Sequence, residues 1–202
     1  MVIPKICEDY INKQRTNYKD VQKDYEQDLK KEFNQMLEFL PEHCNRIIDI
    51  GCGIAGIDYF FNIKYDNPVF YLIDAKISSR RKKIKYGFSD VKSYYNSFRA
   101  LKEFLDKNNF QNYHLCDIKK QLPVDQVDII LSLFAAGFHF SIKKYIEYIN
   151  NCLLKDGILI IDIRKTMQEQ ELKIVQKYFS KIDYIKTDNP KTIRICARKK
   201  NG

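Results

Sequence analysis

Residues 46–56 read Arg-Ile-Ile-Asp-Ile-Gly-Cys-Gly-Ile-Ala-Gly and hold three of the seven glycines in this chain of 202 residues. The apolar run that ends at Ile50 predicts a buried strand, and apolar residues resume at helical spacing after the last glycine. The stretch therefore predicts a strand, a tight turn and a helix, with Gly51, Gly53 and Gly56 in a glycine turn (residues 51–56). Such a turn lets the backbone approach a ligand that a Cβ would exclude, and the helix aims its first N–H groups at that ligand.

Asp49 distinguishes between the ligands that a glycine turn can bind. The three glycines fit the spacing G-x-G-x-x-G, which alone suggests a dinucleotide-binding turn. Asp49, however, stands two positions before the first glycine, at the end of the predicted strand. Its carboxylate would repel a pyrophosphate and would favour a ligand that carries positive charge. The alternative is a turn that binds nothing and only joins the strand to the helix.

The sequence Asp-Ile-Gly-Cys-Gly at residues 49–53 resembles the first motif of the class I S-adenosylmethionine-dependent methyltransferases. Their cofactor is a sulfonium with an ammonium group and no phosphate, which suits an acidic turn. The resemblance implies S-adenosylmethionine as the cofactor and Asp49, Gly51, Cys52 and Gly53 as residues that bind it. It extends over residues 42–198, and the first motif is its specific part.

Acids also end the next two predicted strands. The apolar run 69–73 leads into Asp74, which follows Gly56 by 18 residues. An acid at this point of a βαβ unit sits over the ribose hydroxyls of a bound nucleoside; an acid that caps the next helix is the alternative. The strand predicted at 113–117 ends on Asp117, and the resemblance implies that Asp117 accepts from the adenine amino group while Ile118 flanks the ring.

The fourth predicted strand, 127–133, contains Ser132, which we predict to contact the cofactor. The 134–140 loop after it, Phe-Ala-Ala-Gly-Phe-His-Phe, should lie beside the first strand, at the switch point where open parallel sheets bind ligands. His139 in this loop is the candidate general base, because a neutral imidazole can accept a proton near pH 7. A histidine that satisfies the loop backbone or contacts only the cofactor is the alternative. The loop lacks the Asn/Asp-Pro-Pro-Tyr pattern of nucleobase amino-methyltransferases, which disfavours N-methylation of DNA bases.

The end of the chain completes the fold prediction. A fifth strand is expected at 158–164, and strands at 181–187 and 192–198 are joined by so short a link that they must be antiparallel. The predicted fold class is α/β, a Rossmann-like methyltransferase fold. Its seven-stranded sheet is mostly parallel with a C-terminal antiparallel hairpin, and helices cover both faces.

We expect one methyltransferase domain over residues 1–202, with an N-terminal helical segment (1–41), a Rossmann-like core (42–198) and a lid or substrate insertion (75–110). In the N-terminal segment, apolar residues one turn apart predict a helix over 17–40, ended by Pro41. We expect this helix to pack on the flank of the domain. The methyltransferase resemblance implies that such a helix can also cover the cofactor pocket, where Arg15 and Tyr18 are candidates to reach the cofactor carboxylate.

The insertion begins with a basic run at 76–85 that holds six positive charges in ten residues. Tyr86, Tyr95 and Asn96 follow it and are candidates to line a substrate pocket. The alternative is a solvated basic loop that leads into an ordinary core helix. Arg164, at the end of the fifth strand, is a candidate to hold an anionic group of the substrate, unless it forms a structural contact with Asp162.

Composition limits the remaining functions. The chain has no apolar run long enough for a membrane span and no apolar signal core, and its six cysteines stand singly, which suits the cytoplasm. The cysteines and three histidines lack the spacing of a metal site, so no metal is expected. The formal charge of +9 suggests nucleic acid, but only 8 of the 35 basic residues are arginine, the better phosphate reader.

The leading hypothesis is a methyltransferase that acts on a hydroxyl or amine of a small molecule, with a sugar or related metabolite as one candidate. One alternative is an RNA methyltransferase that uses the 76–85 basic run. Another is a methyltransferase-like subunit that binds cofactor or a partner without turnover. A dehydrogenase is disfavoured by Asp49 and by the terminal hairpin. The oligomeric state stays open.

Overall fold

The computed structural model describes residues 1–14, 18–76, 83–84, 91–92 and 97–199. Its helices are α1 (Lys5–Gln14), α2 (Val21–Met36), α3 (Asp58–Lys64), α4 (Phe98–Lys107), α5 (Ile146–Cys152) and α6 (Gln168–Tyr178). Its strands are β1 (Arg46–Ile50), β2 (Val69–Asp74), β3 (Lys83–Ile84), β4 (Val91–Lys92), β5 (Tyr113–Asp117), β6 (Val127–Ser132), β7 (Leu153–Arg164), β8 (Phe179–Ile185) and β9 (Thr192–Lys199). Short 3₁₀ turns lie at Leu37–Phe39, Ile142–Lys144 and Lys165–Met167.

Seven strands form one sheet in the order β5-β2-β1-β6-β7-β9-β8. The first five are parallel, whereas β9 runs antiparallel to both β7 and β8 and lies between them. The predicted fold class is therefore confirmed, including the terminal hairpin. The order along the sheet reverses between β1 and β6, which makes the carboxyl ends of these two strands the switch point where such sheets bind ligands.

The central strands are buried on both faces, which explains why they read as continuous apolar runs. Alternate residues of β1 enter two separate cores: Ile47 packs with the helices α1 to α4, and Ile48 packs with α5 and α6. The helix predicted within the 75–110 insertion is α4, whose Leu101 and Phe104 are fully buried. This helix provides the crossover from β2 to β5, so that part of the insertion belongs to the core.

The N-terminal segment holds two helices. The helix expected over 17–40 begins after Asp20, whose side chain accepts from the backbone N–H of Lys23, and it ends at Met36. The sequence prediction missed α1, which buries Cys7 and Ile11 on one face and packs against α2 and α4. The Sγ of Cys7 lies 3.2 Å from the carbonyl oxygen of Ala100. Within the described ranges, no helix is long and apolar enough to cross a membrane.

Candidate functional site

The glycine turn lies at the switch point and is packed against the 134–140 loop. Gly51 has φ +84° and Gly53 has φ +59°, in the left-handed region that favours glycine. A Cβ on Gly51 would overlap the Cβ of Ala135. The N–H of Gly51 donates to the carbonyl of Ile73 at 2.7 Å, which folds the turn back over the end of β2. Glycine is therefore required at residue 51 both by its backbone conformation and by the close packing of Ala135, and the approach of a ligand to this turn stays a prediction.

Asp74 and Asp117 lie side by side beyond this turn. One Asp74 carboxylate oxygen accepts from the N–H of Gly53 at 3.0 Å, and the other accepts from Ala75 at 2.6 Å. Asp117 is the register partner of Asp74 on β5, and Ile118 donates its N–H to the carbonyl of Asp74 at 2.9 Å. The predicted ribose and adenine residues therefore meet at the same edge of the sheet as the glycine turn.

Asp49 is buried in the site, and no described residue forms a salt bridge with it. Its side chain is 3% exposed, and its Oδ1 has no hydrogen-bond donor in the described part of the chain. Burial, then the neighbouring Asp58 and Asp74, raises the pKa of the Asp49 carboxyl well above its usual range. Burial also raises the pKa of the adjacent Cys52 thiol, which stays protonated. An unsatisfied buried acid fits a cationic group better than it fits a phosphate.

Asp58 is a site residue that sequence reasoning missed. It is the first residue of α3, its side chain is 0% exposed, and neither oxygen meets a donor among the described residues. An acid in the first turn of a helix is common because it favours the helix dipole, so its position in the sequence alone carries no functional signal. Only its burial next to Asp49 distinguishes it from a capping residue.

The N-terminal helices pack on the glycine turn. The hydroxyl of Tyr10 on α1 lies 2.7 Å from the place that a Cβ of Gly53 would take. The hydroxyl of Tyr25 on α2 packs in the same way on Gly56. Tyr18, a candidate for the cofactor carboxylate, donates to Asp28 at 2.5 Å, and Arg15 lies outside the described residues.

The Ser132 side chain forms hydrogen bonds inside the protein. Its fully buried hydroxyl donates to the carbonyl of Ile50 at 2.9 Å and accepts from the N–H of Ala136 at 2.9 Å. These two bonds join the end of β1 to the 134–140 loop. The hydroxyl therefore positions the loop beside the glycine turn, and its predicted contact with the cofactor stays a prediction.

His139 is buried in the 134–140 loop, with 5% of the residue exposed. Burial, and secondly the charge of Arg164, lowers the pKa of His139 to about 4. The ring stands edge-on to Phe138 with 5.0 Å between centroids. A histidine in this state is neutral at physiological pH but is a weak proton acceptor, so the general-base role stays a prediction.

Arg164 and Asp162, at the end of β7, have different partners. Arg164 donates from Nε to the carbonyl of Phe138 at 3.1 Å, and its guanidinium lies 4.2 Å above the Phe138 ring. Asp162 binds Arg194 of β9 through two bonds of 2.7 and 2.9 Å, with both side chains fully buried. Glu32 of α2 approaches the same guanidinium at 3.5 Å. The structure therefore pairs Asp162 with Arg194, while Arg164 braces the loop that carries His139.

Three of the predicted substrate residues, Tyr86, Tyr95 and Asn96, lie outside the described residues, as does most of the 76–85 basic run. The arrangement that the structure does bring together contains the glycine turn, a set of buried and half-buried acids, and an aromatic loop. Such an arrangement suits a nucleoside with a cationic end group. Asp49 is the acid for the cationic end, and Asp74 is the acid for the ribose hydroxyls.

Solved structures with the same architecture are methyltransferases. The chain superposes with a TM-score of 0.59 on precorrin-6y C5,15-methyltransferase from Geobacter metallireducens GS-15, at 11% identity over 85% of this chain and 87% of that one. It superposes with a TM-score of 0.60 on ribosomal protein L11 methylase from Lactobacillus delbrueckii subsp. bulgaricus, at 14% identity over 87% and 79%. M. jannaschii TYW2, solved in complex with AdoMet, gives 0.53 at 14% identity over 85% and 74%.

No protein-family model matches the chain, and no curated protein matches its sequence. The likeness to solved structures is one of fold, and the fold is the Rossmann-like fold of the class I methyltransferases.

Proposed function

We propose that the protein is an S-adenosylmethionine-dependent methyltransferase. The observation that carries this proposal is the buried Asp49 carboxylate, which has an oxygen without a donor among the described residues, directly beside a left-handed glycine turn at the switch point. In a chain of formal charge +9, a buried acid at this position favours a ligand that brings its own positive charge. The ammonium end of S-adenosylmethionine supplies such a charge.

The residues present fit this cofactor. Gly51 and Gly53 give the turn its left-handed backbone, and Asp49 would receive the ammonium group. Asp74 would hold the ribose hydroxyls, and Asp117 with Ile118 would hold the adenine. When bound, the cofactor supplies an electrophilic methyl group on its sulfonium sulfur.

The protein contributes position more than proton chemistry to this reaction. A displacement at a methyl carbon needs the nucleophile and the cofactor to be held in line, which is worth many orders of magnitude in rate. The 134–140 loop is well built for this task, since Arg164 and Ser132 fix it from two sides. His139 is the candidate to take a proton from a hydroxyl or amine, since its low pKa leaves the imidazole neutral at physiological pH.

The acceptor in this proposal is a hydroxyl or amine of a small molecule, for example a sugar or a related metabolite. Two features support it: α1 and α2 cover the glycine turn, and the loop presents Phe134 and Phe140 as half-buried aromatic side chains. A covered, aromatic-lined approach favours a compact acceptor. The single domain over 1–202, its 75–110 insertion as a substrate lid, and a cytoplasmic location belong to the same proposal.

Calorimetric titration with S-adenosylhomocysteine tests cofactor binding. Asp74→Ala should weaken the affinity at least tenfold because it removes the predicted ribose ligand and the partner of the Gly53 N–H. Asp156→Ala, which removes an exposed acid on β7, is the matched control and should bind like the wild type. Absence of binding to the wild type, or equal affinity of the Asp74 variant, would overturn the proposal.

The formal charge of +9 supports RNA as the second candidate acceptor. This alternative predicts RNA binding that weakens steeply with salt, and a smaller salt slope when Arg80, Arg81, Lys82 and Lys83 are neutralised. Salt-independent or absent RNA binding would remove it. Cofactor binding without methyl transfer to either class of acceptor would favour the non-catalytic subunit.

A further inference from the structure

Asp49 and Asp58 form a pair of neighbouring carboxylates inside the protein. Asp49 is the penultimate residue of β1, Asp58 is the first residue of α3, and the glycine turn between them holds the two acids so close that the charge of Asp58 acts on Asp49. Asp58 is 0% exposed and Asp49 is 3% exposed. One oxygen of Asp49 and both oxygens of Asp58 lack a donor among the described residues. Two carboxyl groups this close can hydrogen-bond to each other only when one of them holds a proton.

The described residues around the pair give it no compensating charge. Cys52 and Asp74 are the titratable groups that face it from the glycine turn and from β2. The phenols of Tyr10 and Tyr25 pack on the turn from α1 and α2. No lysine or arginine makes a salt bridge to either acid within the described part of the chain, and no group of three acids, histidines or cysteines there has metal-binding geometry.

Two adjacent buried carboxylates cannot both ionise without a large cost, so they titrate as a unit that keeps one proton. Burial is the largest cause that raises the pKa of both acids, to about 7 for Asp58. The charge of Asp58 and that of Asp74 raise the pKa of Asp49 further. The protein without ligand therefore carries a single negative charge on this pair near neutral pH.

We propose that Asp58 is a cofactor-binding residue, and that the Asp49–Asp58 pair releases its shared proton to solvent when the ammonium group of the cofactor binds to it. This inference rests on the proposed function, since it assumes a nucleoside with a cationic amino-acid end.

Charge and protons balance in this step. The free pair holds one proton and one negative charge, and the ammonium group keeps all its protons as it arrives. Once bound, the ammonium donates hydrogen bonds to both carboxylates, and the displaced proton leaves to the buffer. Binding should therefore strengthen as the pH rises, by about tenfold per pH unit while the free pair is protonated, and should level off once the free pair has lost its proton.

Two ligands distinguish the contribution of the Asp49–Asp58 pair to binding from that of the rest of the site. S-adenosylhomocysteine carries the ammonium group, whereas 5′-deoxy-5′-methylthioadenosine has the same nucleoside and lacks the amino-acid end. Calorimetry of each ligand in two buffers of different ionisation enthalpy counts the protons released. The wild type should release at least about one proton per S-adenosylhomocysteine at pH 6, and none with methylthioadenosine at the same pH.

Asp58→Asn should weaken S-adenosylhomocysteine binding at pH 8 about tenfold, while affinity for methylthioadenosine stays within about twofold. Asp66→Asn is the matched control. Asp66 follows the same helix, is exposed, and has φ +51°, which asparagine tolerates. The control should behave as the wild type with both ligands.

The possible failures are distinguishable. If neither nucleoside binds, both the proposed function and this inference are wrong. If S-adenosylhomocysteine binds without releasing a proton at pH 6, or binds equally to Asp58→Asn, the proposed function stands and the proposed role of the Asp49–Asp58 pair is wrong. Infrared difference spectra of the wild type provide a check that needs no variant. The C=O stretch of a protonated carboxylic acid should be lost when S-adenosylhomocysteine binds at pH 6, and its persistence would contradict the proposal.

Discussion

Two acids buried at the ends of sheet strands make opposite arrangements. Asp162 on β7 is buried and meets Arg194 through two short bonds, so the protein supplies its countercharge. Asp49 on β1 is as deeply buried and meets a second acid, Asp58. Burial raises the pKa of Asp162 and of Asp49 alike, but Arg194 opposes this effect at Asp162 whereas Asp58 adds to it at Asp49. The charge of the partner, and not burial alone, separates a structural acid from an acid that is poised for a ligand.

The largest effect on stability is expected at Asp162, whose charge Arg194 neutralises. Arg194→Met removes the guanidinium and leaves Asp162 buried without a partner, which should lower the free energy of unfolding by about 3–5 kcal/mol. Urea denaturation at pH 7 measures this change. Arg198→Met, on the same strand but half-exposed, is the control and should change stability by less than about 1 kcal/mol. A variant at Arg194 as stable as the control would mean that Asp162 does not depend on its partner.

His139 extends the comparison to a base buried beside a cation. Its folded-state pKa of about 4 lies below the ordinary value of 6.5, so the unfolded chain binds a proton first as the pH falls. Its contribution to stability is therefore present above pH 6.5 and is lost between pH 6.5 and 4, to an extent of about 3 kcal/mol. His139→Gln should flatten the stability profile over this window, whereas the exposed His43→Gln should leave it unchanged. An unchanged profile in the His139 variant would show that folding does not lower the pKa of this imidazole.

The unpaired acids should have the opposite pH dependence. The pKa of Asp58 is raised from 3.8 to about 7, so the folded state keeps a proton that the unfolded state releases, and stability falls as the pH rises from about 4 to 7. Asp58→Asn should therefore stabilise the protein by about 1–3 kcal/mol at pH 8 and by less at pH 5. Thermal unfolding at the two pH values measures this difference. Lower stability of the variant at pH 8 would mean that Asp58 has a favourable partner.

Ser132 should give the smallest of these effects. Ser132→Ala removes one donor and one acceptor that join β1 to the 134–140 loop, which should cost about 1–2 kcal/mol of stability. Affinity for S-adenosylhomocysteine should change by less than about threefold, because the hydroxyl is occupied inside the protein. A large loss of affinity with unchanged stability would instead support the direct cofactor contact that the sequence predicted.

The fold could be predicted from the sequence because short stretches of sequence determine its strands and its terminal hairpin. Apolar runs that end in Asp49, Asp74 and Asp117 mark the strand ends, and the short link at 188–190 requires an antiparallel hairpin. Helix α1 was missed because its apolar positions, such as Cys7 and Ile11, span fewer than three turns and resemble an irregular segment. Its burial depends on α2 and α4, which only the folded chain brings together.

The site was predictable only where it follows the motif. The spacing of Asp49 and the glycines identifies them as site residues. Asp58 is an acid at the start of a helix, where acids are common because they interact favourably with the helix dipole. The partner of Asp162 lies 32 residues away on an antiparallel strand, and its neighbour Arg164 was the obvious candidate in sequence. The low pKa of His139 depends on the depth of its loop, which spacing does not reveal.

Asp49 gives the most direct test of the account, because stability and binding should move in opposite directions there. Titration with S-adenosylhomocysteine at pH 7.5 compares the wild type with Asp49→Asn, and thermal unfolding of the same samples reports stability. The account predicts that the variant is at least as stable as the wild type and binds the ligand at least tenfold more weakly. Equal affinity in a folded variant would contradict the claim that this buried acid is kept for a cationic ligand.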